Sequence, residues 1–182
     1  MNIALIQKLY QTYQTPPHVQ AHMRQVAKVA VHVAQKIKRN GHKVDIEFVK
    51  HLALVHDLMK AIMFDPILQK KYPDTHDVIV TSKILQKSNE KKLAQAVLSQ
   101  QYDATISTSH PLTTLEEIIV HYADKRVAHT EIVPLEYRFK EGSKRYGKRN
   151  KTIEKKIFEL EKDLSCMAGE DLSYADFTLA NA

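Results

Sequence analysis

Apolar residues recur at intervals of three and four along much of the chain. After Pro16-Pro17 they stand at Val19, Met23, Val26, Ala30, Val33 and Ile37. This spacing places them on one face of an α-helix, and the same spacing returns from Val49 to Met59 and from Ile153 to Leu164. The 182 residues include only four glycines and six prolines, fewer turn residues than a sandwich or barrel of short strands requires. The pattern predicts an all-α fold.

Several polar residues mark where the predicted helices begin. Asp45 is a suitable N-cap for the helix that follows it. Asp74 or Thr75 is expected to cap a helix that runs through Ile84. Thr114 with Glu117, three residues later, has the spacing of a capping box.

The length and composition of the chain suit one globular domain. A chain of 182 residues buries one continuous core and is short for two. Its 43% hydrophobic and 26% charged residues are typical of a folded protein. We expect a core over about residues 16–140 and a C-terminal helical extension over about 141–182.

Cysteine usage and the N-terminus indicate a cytoplasmic protein. Cys166 is the single cysteine, which excludes an internal disulfide and a thiolate metal cluster. The first residues, MNIALIQKLYQTYQTPP, lack the basic start and cleavage site of a signal peptide. No segment approaches the roughly 18 apolar residues of a membrane span, so we expect no membrane partner.

Four residues on three predicted helices have the chemistry of metal ligands. They are His22, His56, Asp57 and Asp124, and both histidines fall on or beside an apolar helix face. Imidazole nitrogen and carboxylate oxygen together bind divalent ions. Taken singly, an inward histidine is more often a hydrogen-bonded core or edge residue than a ligand, by about two to one. An aspartate in a helix is usually a surface residue or an ion-pair partner.

The segments around these residues occur in the order of a known family pattern. They are PPHVQAHMRQVAKVA around His22, LALVHDLMK around His56-Asp57, and IIVHYADKRVAH around Asp124. The chain resembles the HD-domain superfamily of metal-dependent phosphohydrolases, in its small single-domain form. The resemblance covers roughly residues 16–140.

The resemblance implies a fold, a metal and a reaction. The fold is a bundle of about five core helices with added N- and C-terminal helices. His22, His56, Asp57 and Asp124 take the ligand positions for a divalent ion, which is Mn, Fe, Co, Ni or Mg. The implied reaction is hydrolysis of a nucleotide or other small phosphoester by metal-activated water, with Asp57 orienting or deprotonating that water.

Three further residues are expected to contact the substrate. Lys60 follows the His-Asp pair and is expected to meet the phosphate or to fix Asp57, unless it is an ordinary surface lysine. His76 either contacts the substrate or caps its helix. Arg126 and Arg138 resemble arginines that recur in similar bacterial proteins. Such an arginine either contacts a phosphate or forms an ion pair, and we expect Arg126 to contact the substrate. His121, one turn before Asp124, is an acid–base candidate with no motif behind it.

One departure from the family pattern favours a single metal ion. Members with two metals carry further histidines, and His76 can fill one such position, but the other falls on Gln100 or Gln101 in AVLSQQ. Amide oxygen is a weaker ligand than imidazole for transition metals. The same departure supports an alternative: a catalytically reduced nucleotide-binding or regulatory module that keeps a structural metal.

The C-terminal part of the chain carries much of the net charge of +6. Its basic residues are Lys144, Arg145, Lys148, Arg149, Lys151, Lys155 and Lys156. Interleaved glutamates indicate a solvated helix face rather than a nucleic-acid site. The partner that the family resemblance implies is a small phosphorylated molecule. The apolar stripe from Ile153 to Leu164 packs either on the core or on a second subunit, which leaves a homodimer open.

Overall fold

The computed structural model describes residues 1–73, 75–147 and 150–177, without the side chains of residues 145 and 146. Nine α-helices account for most of this part of the chain: α1 (Ile3–Thr12), α2 (Pro17–Arg39), α3 (Ile46–Val55), α4 (Pro66–Lys71), α5 (Asp77–Lys87), α6 (Lys91–Ala96), α7 (Leu115–Lys125), α8 (Leu135–Tyr146) and α9 (Lys151–Ala168). Two short 3-10 helices (Lys60–Met63 and Val97–Gln100) and a ribbon of two-residue strands, β1 (Val127–Ala128) and β2 (Glu131–Ile132), complete it. The all-α prediction is confirmed.

Helix α2 is the central element of the bundle. It packs against α3, α7 and α9, and its predicted apolar face, from Val19 to Ile37, is buried. Asn40 ends the helix, and Gly41 follows with φ +88°, a conformation that glycine adopts without a steric penalty. The predicted apolar face of this helix is confirmed.

Helix α3 ends earlier than its periodicity predicts. Asp45 caps it by accepting a hydrogen bond from the Phe48 amide, but the last α-helical residue is Val55. His56 and Asp57 therefore lie in a tight turn that leads into the first 3-10 helix at Lys60. This turn directs both side chains towards α7.

Two predicted helix starts have different outcomes. Thr114 and Glu117 form the expected capping box at the start of α7. Helix α5 instead has His76 at its N-cap position, without a side-chain capping bond, so the prediction of Thr75 as cap is wrong; Thr75 donates its hydroxyl to the Pro73 carbonyl. The alternative cap, Asp74, lies outside the described residues.

The C-terminal half closes the bundle. The ribbon pairs β1 and β2 antiparallel, with Ala128 opposite Glu131, and Pro134 then precedes α8. The predicted stripe on α9 packs on the chain's own core, where Ile153, Ile157 and Leu164 are buried. None of the described helices combines the length and apolar character needed to cross a membrane.

Candidate metal centre

Helix α2 presents His22 to α7 in a fixed orientation. The Nδ1 atom of His22 lies 2.8 Å from the backbone carbonyl of His129, and a carbonyl only accepts hydrogen bonds, so Nδ1 carries the proton. The other ring nitrogen, Nε2, lies 3.0 Å from Oδ1 of Asp124. In a neutral imidazole that nitrogen has a lone pair facing a carboxylate, an arrangement that a cation between them stabilises.

His56 is oriented in the same way from the turn after α3. Its Nδ1 donates to the Ala53 carbonyl at 2.8 Å, which again leaves Nε2 as the free nitrogen. This atom is buried and has no hydrogen-bond partner among the described residues. Carboxylate oxygens of Asp57 and Asp124 each lie 3.7 Å from it, too far for a hydrogen bond.

The two imidazoles and Asp124 have the donors and the spacing of a metal site. Ligand atoms of His22, His56 and Asp124 all lie within 4.8 Å of one another, and nitrogen and oxygen ligands about 2.0–2.2 Å from a common ion fall within that separation. The unpartnered Nε2 of His56 is the strongest sign, because a buried polar atom without a partner is rare. The residues present therefore fit a divalent ion.

Asp57 lies at the edge of this group. Its Oδ2 is 3.7 Å from Nε2 of His56, and its Oδ1 is 3.4 Å from Nζ of Lys60. Burial alone would raise the pKa of Asp57, but the Lys60 ammonium and the His56 imidazole outweigh it and lower that pKa. The carboxylate is thus held ionised, and its role as a metal ligand stays a prediction.

Asp124 is the most connected of the predicted ligands. Besides facing His22, it accepts a hydrogen bond of 2.6 Å at Oδ2 from Nζ of Lys125. Burial opposes ionisation, but Lys125 and the two histidines together hold the pKa of Asp124 well below its usual range. Lys125 is itself buried, and burial lowers its pKa although Asp124 opposes the shift.

Lys60 joins Asp57 to a second buried carboxylate. Its Nζ lies 3.4 Å from Asp57 and 3.4 Å from Asp77. Asp57 raises the pKa of Lys60 more than burial lowers it, so the ammonium stays charged. Asp77 also lies 2.6 Å from Nδ1 of His76, whose side chain is half exposed. The predicted residues Lys60 and His76 thus lie together at one side of the centre.

A cleft of about 420 Å³ opens beside these residues. It is lined by His22, Asp57, Lys60, Met63, His76, Val78, Gln100, Gln101, Tyr102, Asp124, Lys125, Arg138 and Asn150. The volume is in the range of small-molecule sites. Three of the lining residues, Lys60, Lys125 and Arg138, are basic, and two, Asp57 and Asp124, are acidic. With a divalent ion bound, this balance suits an anionic ligand.

Arg126 does not reach this cleft, and the geometry corrects the prediction that it contacts substrate. The side chain points away from Asp124 and is 3% exposed. Its guanidinium binds Glu161 at 3.1 Å, the Val133 carbonyl at 2.8 Å, and the carbonyl of Leu172. The ion-pair alternative describes its role, and Arg138 is the arginine that lines the cleft.

Two residues of the centre were not among the predicted site residues. Lys125 directly follows Asp124 in the sequence. A lysine on a helix face that is predicted to be buried is unusual, and this could have identified it. Asp77 had no such signal, because an aspartate in the first turn of a helix is common for helix-dipole reasons alone. His121 is fully buried and does not line the cleft, which argues against an acid–base role.

The basic C-terminal residues are partly neutralised within α9. Lys151 pairs with Glu154 at 2.8 Å, and Lys156 pairs with Glu159 at 2.9 Å. Lys148, Arg149 and the side chain of Arg145 lie outside the described parts of the chain. The pairing favours a solvated helix face over a nucleic-acid site.

Comparison with known proteins agrees with this geometry. An uncharacterised protein of Methanocaldococcus jannaschii is 26% identical over 151 residues, which cover 77% of this chain and 84% of the relative. No solved structure matches the chain. Residues 19–129, more than half of the chain, match the HD domain model and contain His22, His56-Asp57 and Asp124. The chain therefore belongs to the HD domain family, within the superfamily of metal-dependent phosphohydrolases.

Proposed function

We propose that this protein hydrolyses a nucleotide or another small phosphoester with a single divalent ion, Mn, Fe, Co, Ni or Mg. The observation that carries the proposal is the unpartnered Nε2 of His56, which faces the carboxylates of Asp57 and Asp124 beside a cleft lined by three cations. The size of the cleft suits a molecule of nucleotide dimensions.

His22, His56 and Asp124 would hold the ion, with Asp57 as the fourth protein ligand. A divalent ion in such a site lowers the pKa of water and offsets negative charge on a phosphoryl group. The carbonyls of His129 and Ala53 keep both imidazoles in the tautomer that presents Nε2 to the ion. The tautomer of both imidazoles is therefore set by the protein itself.

Asp57 would orient the attacking water and accept its proton. Its ionised carboxylate, held by Lys60, lines the cleft. The water oxygen bonds to phosphorus while the phosphorus–oxygen bond of the ester breaks, and the leaving oxygen takes a proton. Lys60, and with it Arg138, would offset the charge of the phosphate in the transition state.

The test compares Asp57→Ala with Asp163→Ala, an exposed aspartate on α9. Wild-type protein and the control should bind close to one equivalent of metal and hydrolyse p-nitrophenyl phosphate or a nucleoside phosphate. Asp57→Ala should lose most of the bound metal and at least about 100-fold in turnover. Metal analysis and phosphate release measure the two effects, and full turnover by Asp57→Ala would refute the mechanism.

Gln100 and Gln101 favour a second candidate function, a nucleotide-binding module with a structural metal. Both residues line the cleft, and the family resemblance places a histidine of two-metal relatives at one of the two positions. In such a module a nucleotide would raise the melting temperature in the presence of metal without being consumed. Phosphate release over time separates the two functions.

A further inference from the structure

We infer that Asp77 is a positioning residue, which holds the ammonium group of Lys60 away from Asp57. In this position Lys60 leaves the oxygens of Asp57 free to bind the metal ion. The inference deepens the proposed function and rests on its metal site. Asp77 itself touches neither the ion nor the substrate and acts only through Lys60.

Asp77 is a buried carboxylate with two basic neighbours. It lies in the first turn of α5, is 2% exposed and does not line the cleft. Neither of its oxygens has a hydrogen-bond partner within the described parts of the chain. Instead, Oδ1 lies 2.6 Å from Nδ1 of His76, and Oδ2 lies 3.4 Å from Nζ of Lys60. Because Asp77 is out of reach of the cleft, any effect on the reaction passes through these neighbours.

Lys60 lies between two carboxylates and approaches neither of them closely. Its Nζ is 3.4 Å from Asp57 and 3.4 Å from Asp77, whereas a charge-assisted hydrogen bond is about 2.7–2.9 Å long. Lys125 pairs with Asp124 alone among the described residues, and there the separation is 2.6 Å. A lysine of this centre thus closes onto a single carboxylate. The longer separations of Lys60 follow from the opposing attraction of Asp77.

This intermediate position of Lys60 keeps both Asp57 and Lys60 available for the reaction. Asp57 has Nζ of Lys60 at 3.4 Å and Nε2 of His56 at 3.7 Å, both beyond hydrogen-bond length, so its lone pairs are open to an ion. The side chain of Lys60 is 36% exposed and lines the cleft, where its N–H groups can meet a phosphate. Without the charge of Asp77, Lys60 would close onto Asp57, occupy one of its oxygens and weaken its hold on the ion.

The experiment is a double-mutant cycle that measures metal affinity as well as turnover. Chelator-treated wild type, Asp77→Asn, Lys60→Met and the double variant are titrated with Mn²⁺ by calorimetry, and urea unfolding checks that each is folded. Glu47→Gln is the matched control, because Glu47 is also an acidic residue in the first turn of a helix but is exposed. The same proteins are assayed with p-nitrophenyl phosphate at saturating Mn²⁺.

Asp77→Asn should raise the Kd for Mn²⁺ about 10-fold, an effect typical of residues that orient a metal ligand. In the Lys60→Met background the same substitution should change that Kd by less than about threefold, because no ammonium remains to close onto Asp57. At saturating Mn²⁺, kcat/KM should fall about 10-fold in Asp77→Asn, and the double variant should match Lys60→Met. Glu47→Gln should match wild type in both measurements.

An equal change of Kd in both backgrounds would mean that Asp77 acts only through its long-range charge, and it overturns the inference. An unchanged Kd in Asp77→Asn does the same. If Asp77→Asn does not fold, Asp77→Ser takes its place in the cycle. Wild-type protein that binds Mn²⁺ but cleaves no phosphoester refutes the proposed reaction, whereas coupling in the affinity cycle still supports the placement of Lys60 by Asp77.

Discussion

Replacing Asp124 with asparagine should destabilise the metal-free protein because it isolates a buried ammonium group. Asp124→Asn retains Oδ1 opposite His22 but places an amide NH2 where Oδ2 accepts the 2.6 Å hydrogen bond from Lys125. Lys125 is 5% exposed, so most of its side chain lies out of contact with water. Removing one partner of a buried ion pair typically lowers the free energy of unfolding by about 3–5 kcal/mol.

The expected loss lies near the lower end of that range. Burial already lowers the pKa of Lys125, so the isolated lysine can lose its proton at a smaller cost than an ordinary one. We expect a decrease of about 3 kcal/mol in the free energy of unfolding, with a fall in melting temperature on the order of 10 °C for a chain of this length.

The assay is urea unfolding of chelator-treated protein, followed by circular dichroism. The informative comparison is the double variant Asp124→Asn/Lys125→Met, in which the buried charge is absent and about 2 kcal/mol of the loss should return. Glu159→Gln, which breaks the exposed pair with Lys156, is the control and should leave unfolding unchanged. If Asp124→Asn is as stable as wild type, or the double variant recovers nothing, the assignment of Lys125 as a buried ammonium is refuted.

Two further predictions concern helix termination and acid stability. Gly169 has φ +64°, and a methyl group there would lie 2.4 Å from Nδ2 of Asn40, which donates to the Met167 carbonyl. Gly169→Ala should therefore lower the free energy of unfolding, measured with a chemical denaturant, by about 2 kcal/mol. A loss below about 0.5 kcal/mol would contradict this packing. Burial lowers the pKa of His121 well below 6.5, so the unfolded state binds the proton first and stability should decrease as the pH falls below about 6.5. His121→Phe should show a smaller decrease between pH 7 and 5 than wild type, and an equal decrease would rule out His121 as its source.

The grouping of the candidate ligands His22, His56 and Asp124 could be predicted in part from the sequence, because His22 and Asp124 lie on strongly patterned helices. The neighbours of His22 and Asp124 have clear helical spacing, so the directions of these side chains followed from periodicity. The family resemblance then predicted that these side chains meet at one metal site. The turn at His56 could not be predicted in the same way. The apolar pattern continues to Met59, although the α-helix ends at Val55.

Other parts of the structure depend on contacts that no local pattern contains. Arg126 ends α7 and binds Glu161, which lies 35 positions away in the chain; its sequence neighbours do not indicate which way it points. The ribbon that contains Val127 has strands of two residues, too short for an alternating pattern. Asp77 is buried where α5 packs against neighbouring elements, and it faces Lys60 from the first 3-10 helix.

The hydrogen bonds of Arg126 have a practical consequence for work on this protein. Arg126 follows Asp124 by two residues, and its guanidinium binds the carbonyls of Leu172 and Ser173. The segment after α9 is thereby held at the end of the helix that carries Asp124, a candidate metal ligand. An expression fragment that stops at the end of α9 would leave a buried guanidinium without these two acceptors. Any shortened version of the protein should therefore retain the chain through Ser173.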